Sequence, residues 1–267
     1  MFKNMKVGAK IASGFAIIAI LGVIVGIAGY LIVNNIIHQV EVAETAYTIK
    51  QDCFEARRQE KNFLIRREEK YIERWEKVLE GIRTVVAKGL KVTDDSDIQA
   101  WLKDIFKKMD RYAAMGHSLQ KAVSEGHKLD NQMRNAARSI ESSLKKDTNS
   151  GPAMTALLHA RQQEKNIILY GDKTLGKGEK SYLRKWKDRM DIIEKWSGDD
   201  AGLKSLTTRY SGLMSQRVKG LERVHDLEAD IVATVGAVMK NADQILERTK
   251  KAMHKAEIGG KTLIMII

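Results

Sequence analysis

Pro152 is the only proline in 267 residues, and on either side of it apolar residues recur at helical spacing over long stretches. Proline removes a backbone donor and clashes with the preceding turn, so a chain almost without it leaves long helices unbroken. With 43% hydrophobic and 30% charged residues, the chain can bury a core and does not have the composition of a disordered segment. The expected class is all-α. Cys53 is the only cysteine, so no intrachain disulfide can form and the fold must rest on packing.

Ile11 to Val33 carries no charge. As a helix these residues extend roughly 35 Å, enough for a hydrocarbon core of about 30 Å. Lys3, Lys6 and Lys10 precede the stretch without an acidic residue. The positive-inside tendency therefore predicts residues 1–10 in the cytoplasm, a transmembrane helix over 11–33, and an extracytoplasmic domain from residue 34. Gly26-Ile27-Ala28 offers a small-x-small site, which leaves a cleaved signal peptide as the competing reading, although the apolar run is longer than such peptides use. Leu263-Ile264-Met265-Ile266-Ile267, after Gly259-Gly260-Lys261, reads as the start of a second span over 259–267.

Lys3, Lys6, Lys10 and Lys261 carry four of the net +12, leaving +8 on residues 34–260. That charge is spread along helices, as on a solvated surface beside anionic lipid, and a position outside the membrane argues against nucleic acid as a partner.

The apolar series predicts six helices. The first continues the membrane helix from Asn34 to about Arg66, with Ile36, Val40, Val42, Ala46, Ile49, Cys53 and Phe54 as its inner face. The second covers Tyr71 to about Leu90, and residues 88–97, with Gly89 and Thr93-Asp94-Asp95-Ser96, read as a capping loop. The third runs unbroken from Ile98 to Leu144. Asn149-Ser150-Gly151-Pro152 separates it from a fourth over about 153–170, with Pro152 suited to a first helical position. A loop follows at Gly171 to Gly178, then a fifth helix over about 180–196. Ser197-Gly198-Asp199-Asp200 caps a sixth, which is double length like the third.

One phrase recurs: Ala56-Arg57-Arg58-Gln59-Glu60-Lys61-Asn62 returns as Ala160-Arg161-Gln162-Gln163-Glu164-Lys165-Asn166. Tyr71 and Trp75 of the second helix are matched by Tyr182 and Trp186 of the fifth, and Arg111-Tyr112 by Arg209-Tyr210. Two copies of one helical unit are implied. Threading them through the helix lengths predicts two stacked four-helix bundles sharing two long helices, preceded by the transmembrane helix. The extracytoplasmic domain spans 34–258, with a membrane-proximal module of about 34–127 plus 229–258 and a distal module of about 128–228.

Arg57 and Lys61 lie one helical turn apart, as do Arg161 and Lys165, and like charges at that spacing disfavour a helix unless something offsets them. Glu60 and Glu164, three residues from each arginine, are one possible partner through ordinary ion pairs. The other is a carboxylate ligand held in the guanidinium fork, with lysine as a second point charge. On that second reading the proximal candidates are Arg57, Arg58, Lys61, Arg66 and Tyr112, and the distal candidates Arg161, Lys165 and Tyr210. Trp75 and Trp186 lie on apolar stripes and are expected in the cores. The six histidines show no metal-ligand spacing, and no nucleophile motif or phosphate loop is present, so neither metal, cofactor nor catalysis is expected.

The N-terminal membrane helix, Ala-Arg-Arg-Gln-Glu-Lys-Asn-Phe-Leu at 56–64, the second phrase at 160–166 and the return to the membrane resemble the helical bimodular sensory domain of bacterial methyl-accepting chemotaxis receptors. That resemblance covers essentially the whole chain. It implies the sensory region of a homodimeric receptor in the inner membrane, taking small organic acids and signalling to cytoplasmic chemotaxis proteins through a further C-terminal region. It also implies that Arg57 belongs to the proximal pocket. Asn166-Ile167 in the second copy departs from the family pattern, which makes the first copy the favoured site. Membrane histidine kinases with similar outer domains, and a docking module for a periplasmic protein at residues 171–178, are the alternatives.

Overall fold

The computed structural model describes residues 7–170 and 181–266, and the predicted loop at 171–178 lies outside them. Among the described residues the chain is all-α: α1 (Val7–Arg66), α2 (Lys70–Val92), α3 (Ser96–Leu144), α4 (Gly151–Tyr170), α5 (Tyr182–Ser197) and α6 (Ala201–Ile266). Asp95 accepts the Asp97 and Ile98 amides at 3.0 and 3.2 Å, and Asp200 accepts the Leu203 amide at 3.0 Å. Ser181 accepts the Arg184 amide at 3.1 Å. Each of these side chains satisfies donors that a helix start leaves open.

Two sequence expectations change here. Residues 88–92 are helical, with the turn reduced to Thr93-Asp94-Asp95. Gly89 is there because of a close approach: a Cβ would lie 2.8 Å from Thr45 Cγ2 and 3.2 Å from Leu102 Cδ1. On α1, Val42, Ala46, Ile49, Cys53 and Ala56 are buried, whereas Val40 and Phe54 point outward. The 3.6-residue period has room for one buried stripe, and these two fall on its far side.

The chain divides into two compact units, residues 1–113 with 234–267, and residues 114–233. The apolar series places the module boundary at about 127 and 229. Residues 124–128 and 222–226 are mostly exposed, so apolar periodicity marks no sharp edge there. In the first unit α1 packs on α2. Cross-ties bring in the first part of α3 and the last part of α6: Arg83 to Asp110 at 3.0 Å, Asn241 to Asp104 at 2.7 Å, and Lys50 to Asp243 at 2.5 Å. In the second unit α4 packs on α5. The core here runs from Met133, Ile140 and Leu144 through Ala156, Leu157 and Ile167 to Trp186, Met190, Tyr210 and Met214. Each unit is thus a four-helix bundle, with α3 and α6 contributing one segment to each.

From Ile11 the α1 helix is long and apolar enough to cross a membrane, and its most apolar window has no buried residue. Phe15, Ile18, Val23 and Ile27 are all more than half exposed, as a helix bathed in lipid would be.

Candidate functional site

Each copy of the repeated phrase builds the same buried constellation. In the first unit, Glu60 is buried on α1, pairs with Arg57 of the preceding turn, and accepts the hydroxyl of Tyr112 from α3 at 2.8 Å. Trp75 of α2 meets Tyr112 edge-on, with ring centroids 5.5 Å apart. In the second unit, Arg161 Nη1 donates to both oxygens of Glu164 at 2.7 Å, Glu164 accepts the Tyr210 hydroxyl, and Trp186 meets Tyr210 edge-on at 5.5 Å. The two-residue echo Arg-Tyr at 111 and 209 thus marks the tyrosine that closes each network.

Burial pushes the Glu60 carboxyl above its ordinary range, against the pull of Arg57, Tyr112 and Lys61. Burial and then the glutamate charge push the Tyr112 and Tyr210 hydroxyls well up. For Arg161, burial works against the charge, but Glu164 and Tyr210 outweigh it and hold the guanidinium above its usual value. An arginine, a glutamate and a tyrosine that satisfy one another can stay in an apolar interior where any one alone would be costly. Cys53, fully buried in the first unit, has its thiol raised to about 12 by burial and by Asp52, and it has no thiolate chemistry to offer.

Of the proximal residues picked from sequence, Arg57 and Tyr112 are brought together on Glu60. Lys61 is exposed beside them and acts on Glu60 through its charge. Arg58 is exposed and pairs with Glu55 at 2.6 Å, and Arg66 lies over the Tyr71 ring at 5.8 Å. The reason is angular: Arg58 is one residue, about 100°, round the helix from Arg57.

In the second unit, Arg161 and Lys165 line a groove of about 650 Å³ between α3 and α4, together with Arg134, Arg138, Glu141 and Gln162 over a floor of Ala137 and Leu157. Four cations face one carboxylate, and Glu141 is engaged by Lys145 at 2.6 Å. Arg134, Arg138 and Lys165 have no ion-pair partner among the described residues. On the α1–α6 face of the first unit, by contrast, Asp243 stands against Lys50 at 2.5 Å. Sequence reasoning favoured the first copy and missed Arg134 and Arg138. Their spacing of four on α3 is the same like-charge signal that singled out Arg57 and Lys61.

Arg161 belongs to both settings, since it is a wall of the groove and the partner of buried Glu164. An anion entering the groove therefore meets a guanidinium whose position is linked, through Glu164 and Tyr210, to α6. The chain matches no protein-family model and no curated protein.

Proposed function

We propose that this chain is the sensory region of a membrane-anchored receptor that binds a small organic anion in the second unit and passes the event along α6. The observation that carries this reading is the groove with three cations, Arg134, Arg138 and Lys165, that have no ion-pair partner among the described residues, beside the paired Arg161. Guanidinium forks grip carboxylates bidentately, and a concave site with an apolar floor strengthens that attraction by limiting water. A carboxylate in the groove competes with Glu164 for Arg161. Because Glu164 also holds Tyr210 of α6, loosening or tightening that pair changes the restraint on the helix that runs on to Ile266. Only the ligand's preference between the two arrangements can drive the change.

The reading extends to a homodimer in the inner membrane with its bundles on the outer side, working through cytoplasmic chemotaxis proteins, as the resemblance implies. Val33, Val40, Tyr47 and Phe54 are exposed on α1 at a spacing of seven, the period of a two-helix seam. Two copies held parallel by their membrane helices would bring these stripes face to face.

Thermal unfolding of the chain in nanodiscs, with a panel of carboxylates of two to six carbons, tests the proposal. Binding at about one hundred times Kd adds about 2.7 kcal/mol of stability, so at least one ligand raises Tm by several degrees. No shift across the panel would remove the small-anion reading.

A further inference from the structure

A second recess lies in the first unit, at the edge of the charge-free helix. It is lined by Ile36 of α1 and by Glu247, Lys250, Lys251, Met253, His254 and Glu257 of α6, and encloses about 710 Å³. Ile36 stands three residues beyond Val33, where the uncharged stretch ends. Two turns or so further along α6, a Cβ on Gly260 would be 3.4 Å from Ile32 Cδ1. The end of α6 thus runs beside the membrane-directed part of α1, and the recess opens at the level where apolar helix gives way to polar helix.

We infer that this recess is a binding site for an anionic phospholipid of the surrounding bilayer, with Lys250 and Lys251 holding the headgroup phosphate and Ile36 and Met253 lying along the upper acyl chain. Both lysines are exposed and have no ion-pair partner among the described residues. The nearby acids are partly spoken for: Glu257 is bound by Lys261 at 2.6 Å and faced by His254 at 3.8 Å. Glu247 is the remaining carboxylate on the wall, while α1 has no charged residue between Asn34 and Val40. Lysine pairs at an apolar boundary suit a ligand with a charged head and a greasy tail, because the stems lie on the apolar wall while the ammonium groups reach the phosphate. A soluble phosphate would use the lysines and leave Ile36 and Met253 idle. The lipid uses both.

The inference rests on the membrane reading of α1, and the test separates the two. The full chain is reconstituted into vesicles of equal phosphatidylcholine and phosphatidylglycerol, and insertion is scored first by resistance to alkaline carbonate extraction. The inserted chain is then taken into mild detergent and its retained lipids are counted by native mass spectrometry. Phosphatidylglycerol should be enriched on the order of tenfold over phosphatidylcholine. That enrichment should be lost in the double variant K250Q/K251Q and kept in K145Q/K146Q, which removes the same charge from a surface of the other unit. A chain that extracts with carbonate overturns the membrane reading and this inference with it. A chain that inserts but retains the two lipids in vesicle proportion, or whose K250Q/K251Q variant keeps the wild-type enrichment, overturns the lipid site alone. Free phosphate, added at high concentration, should not displace the retained lipid; displacement would assign the lysines to a soluble anion.

Discussion

Tyr112 of α3 donates its hydroxyl to Glu60 of α1 at 2.8 Å, inside the first unit. The same link, Tyr210 to Glu164, closes the second unit. In both, a long helix is fastened to the helix that carries the repeated phrase by one phenol on one carboxylate, and an arginine from the preceding turn balances the charge. Hydrogen bonds to a charged group in a dry interior are stronger than neutral ones, and they also specify register, since a shift of one residue would leave the carboxylate bare.

Replacing Tyr112 with Phe should cost about 1.5–3 kcal/mol, because the acceptor is a buried carboxyl paired with Arg57. Glu60→Gln should cost about as much or more, since it leaves the Arg57 guanidinium without its counter-charge, whereas the double replacement R57M/E60M should recover much of the loss. Urea unfolding followed by tryptophan fluorescence gives the three values. A loss in R57M/E60M as large as in Glu60→Gln would mean that the uncompensated guanidinium is not what makes the single replacement costly.

The raised carboxyl of Glu60 sets a sign for pH dependence. In the window between its ordinary value of 4.5 and its higher folded value, the folded chain binds more protons than the unfolded chain, so stability falls as pH rises. Glu60→Gln should remove that slope. Above pH 10.0 the same logic applies to Tyr112 and Tyr210, whose folded hydroxyls stay protonated while the unfolded ones ionise. Stability should therefore drop in alkali, and less so in Y112F/Y210F.

Gly89→Ala should destabilise the first unit by about 1–3 kcal/mol through overpacking, because the new methyl would sit 2.8 Å from Thr45 Cγ2. Thr45→Ser removes that methyl group and should return part of the loss. Thermal melts of the single and double variants check this.

The outward stripe on α1 predicts a parallel contact between copies. With Cys53 changed to Ala, a cysteine at Tyr47 or Phe54 should form an intermolecular disulfide in membranes, while one at partly exposed Asp52, about 140–160° round the helix from each, should do so less readily. Equal crosslinking at all three positions would speak against a defined seam.

The helical plan was legible because two kinds of signal agreed: apolar residues at helical period through Ile98 to Leu144 and Leu203 to Ile245, and capping residues at Asp95 and Asp200. What was hidden depended on distance in the chain or on angle round a helix. Gly89 looks like a loop residue until Thr45 is known to lie against it. Val40 and Phe54 look like core because they are apolar, and only the placement of α2 shows which side of α1 is inward. The repeated phrase pointed to Arg57 and Arg161 and, through a two-residue echo, to Tyr112 and Tyr210. It offered Glu60 and Glu164 as partners for those arginines but could not decide between them and a ligand carboxylate, because the choice depends on Tyr112 and Tyr210 arriving from distant helices. Nor could it bring Arg134 and Arg138, on another helix, to the side of Arg161.

The most direct measurement is isothermal titration of the chain in nanodiscs with the carboxylate that raises Tm most, for wild type and for R134Q/R138Q. Neither arginine has an ion pair to lose among the described residues, so folding should be unaffected. The account predicts binding to wild type and an affinity at least about tenfold weaker in the double variant, as expected when charge-assisted hydrogen bonds to a carboxylate are removed. Equal affinity in both proteins would contradict the assignment of the anion to this groove.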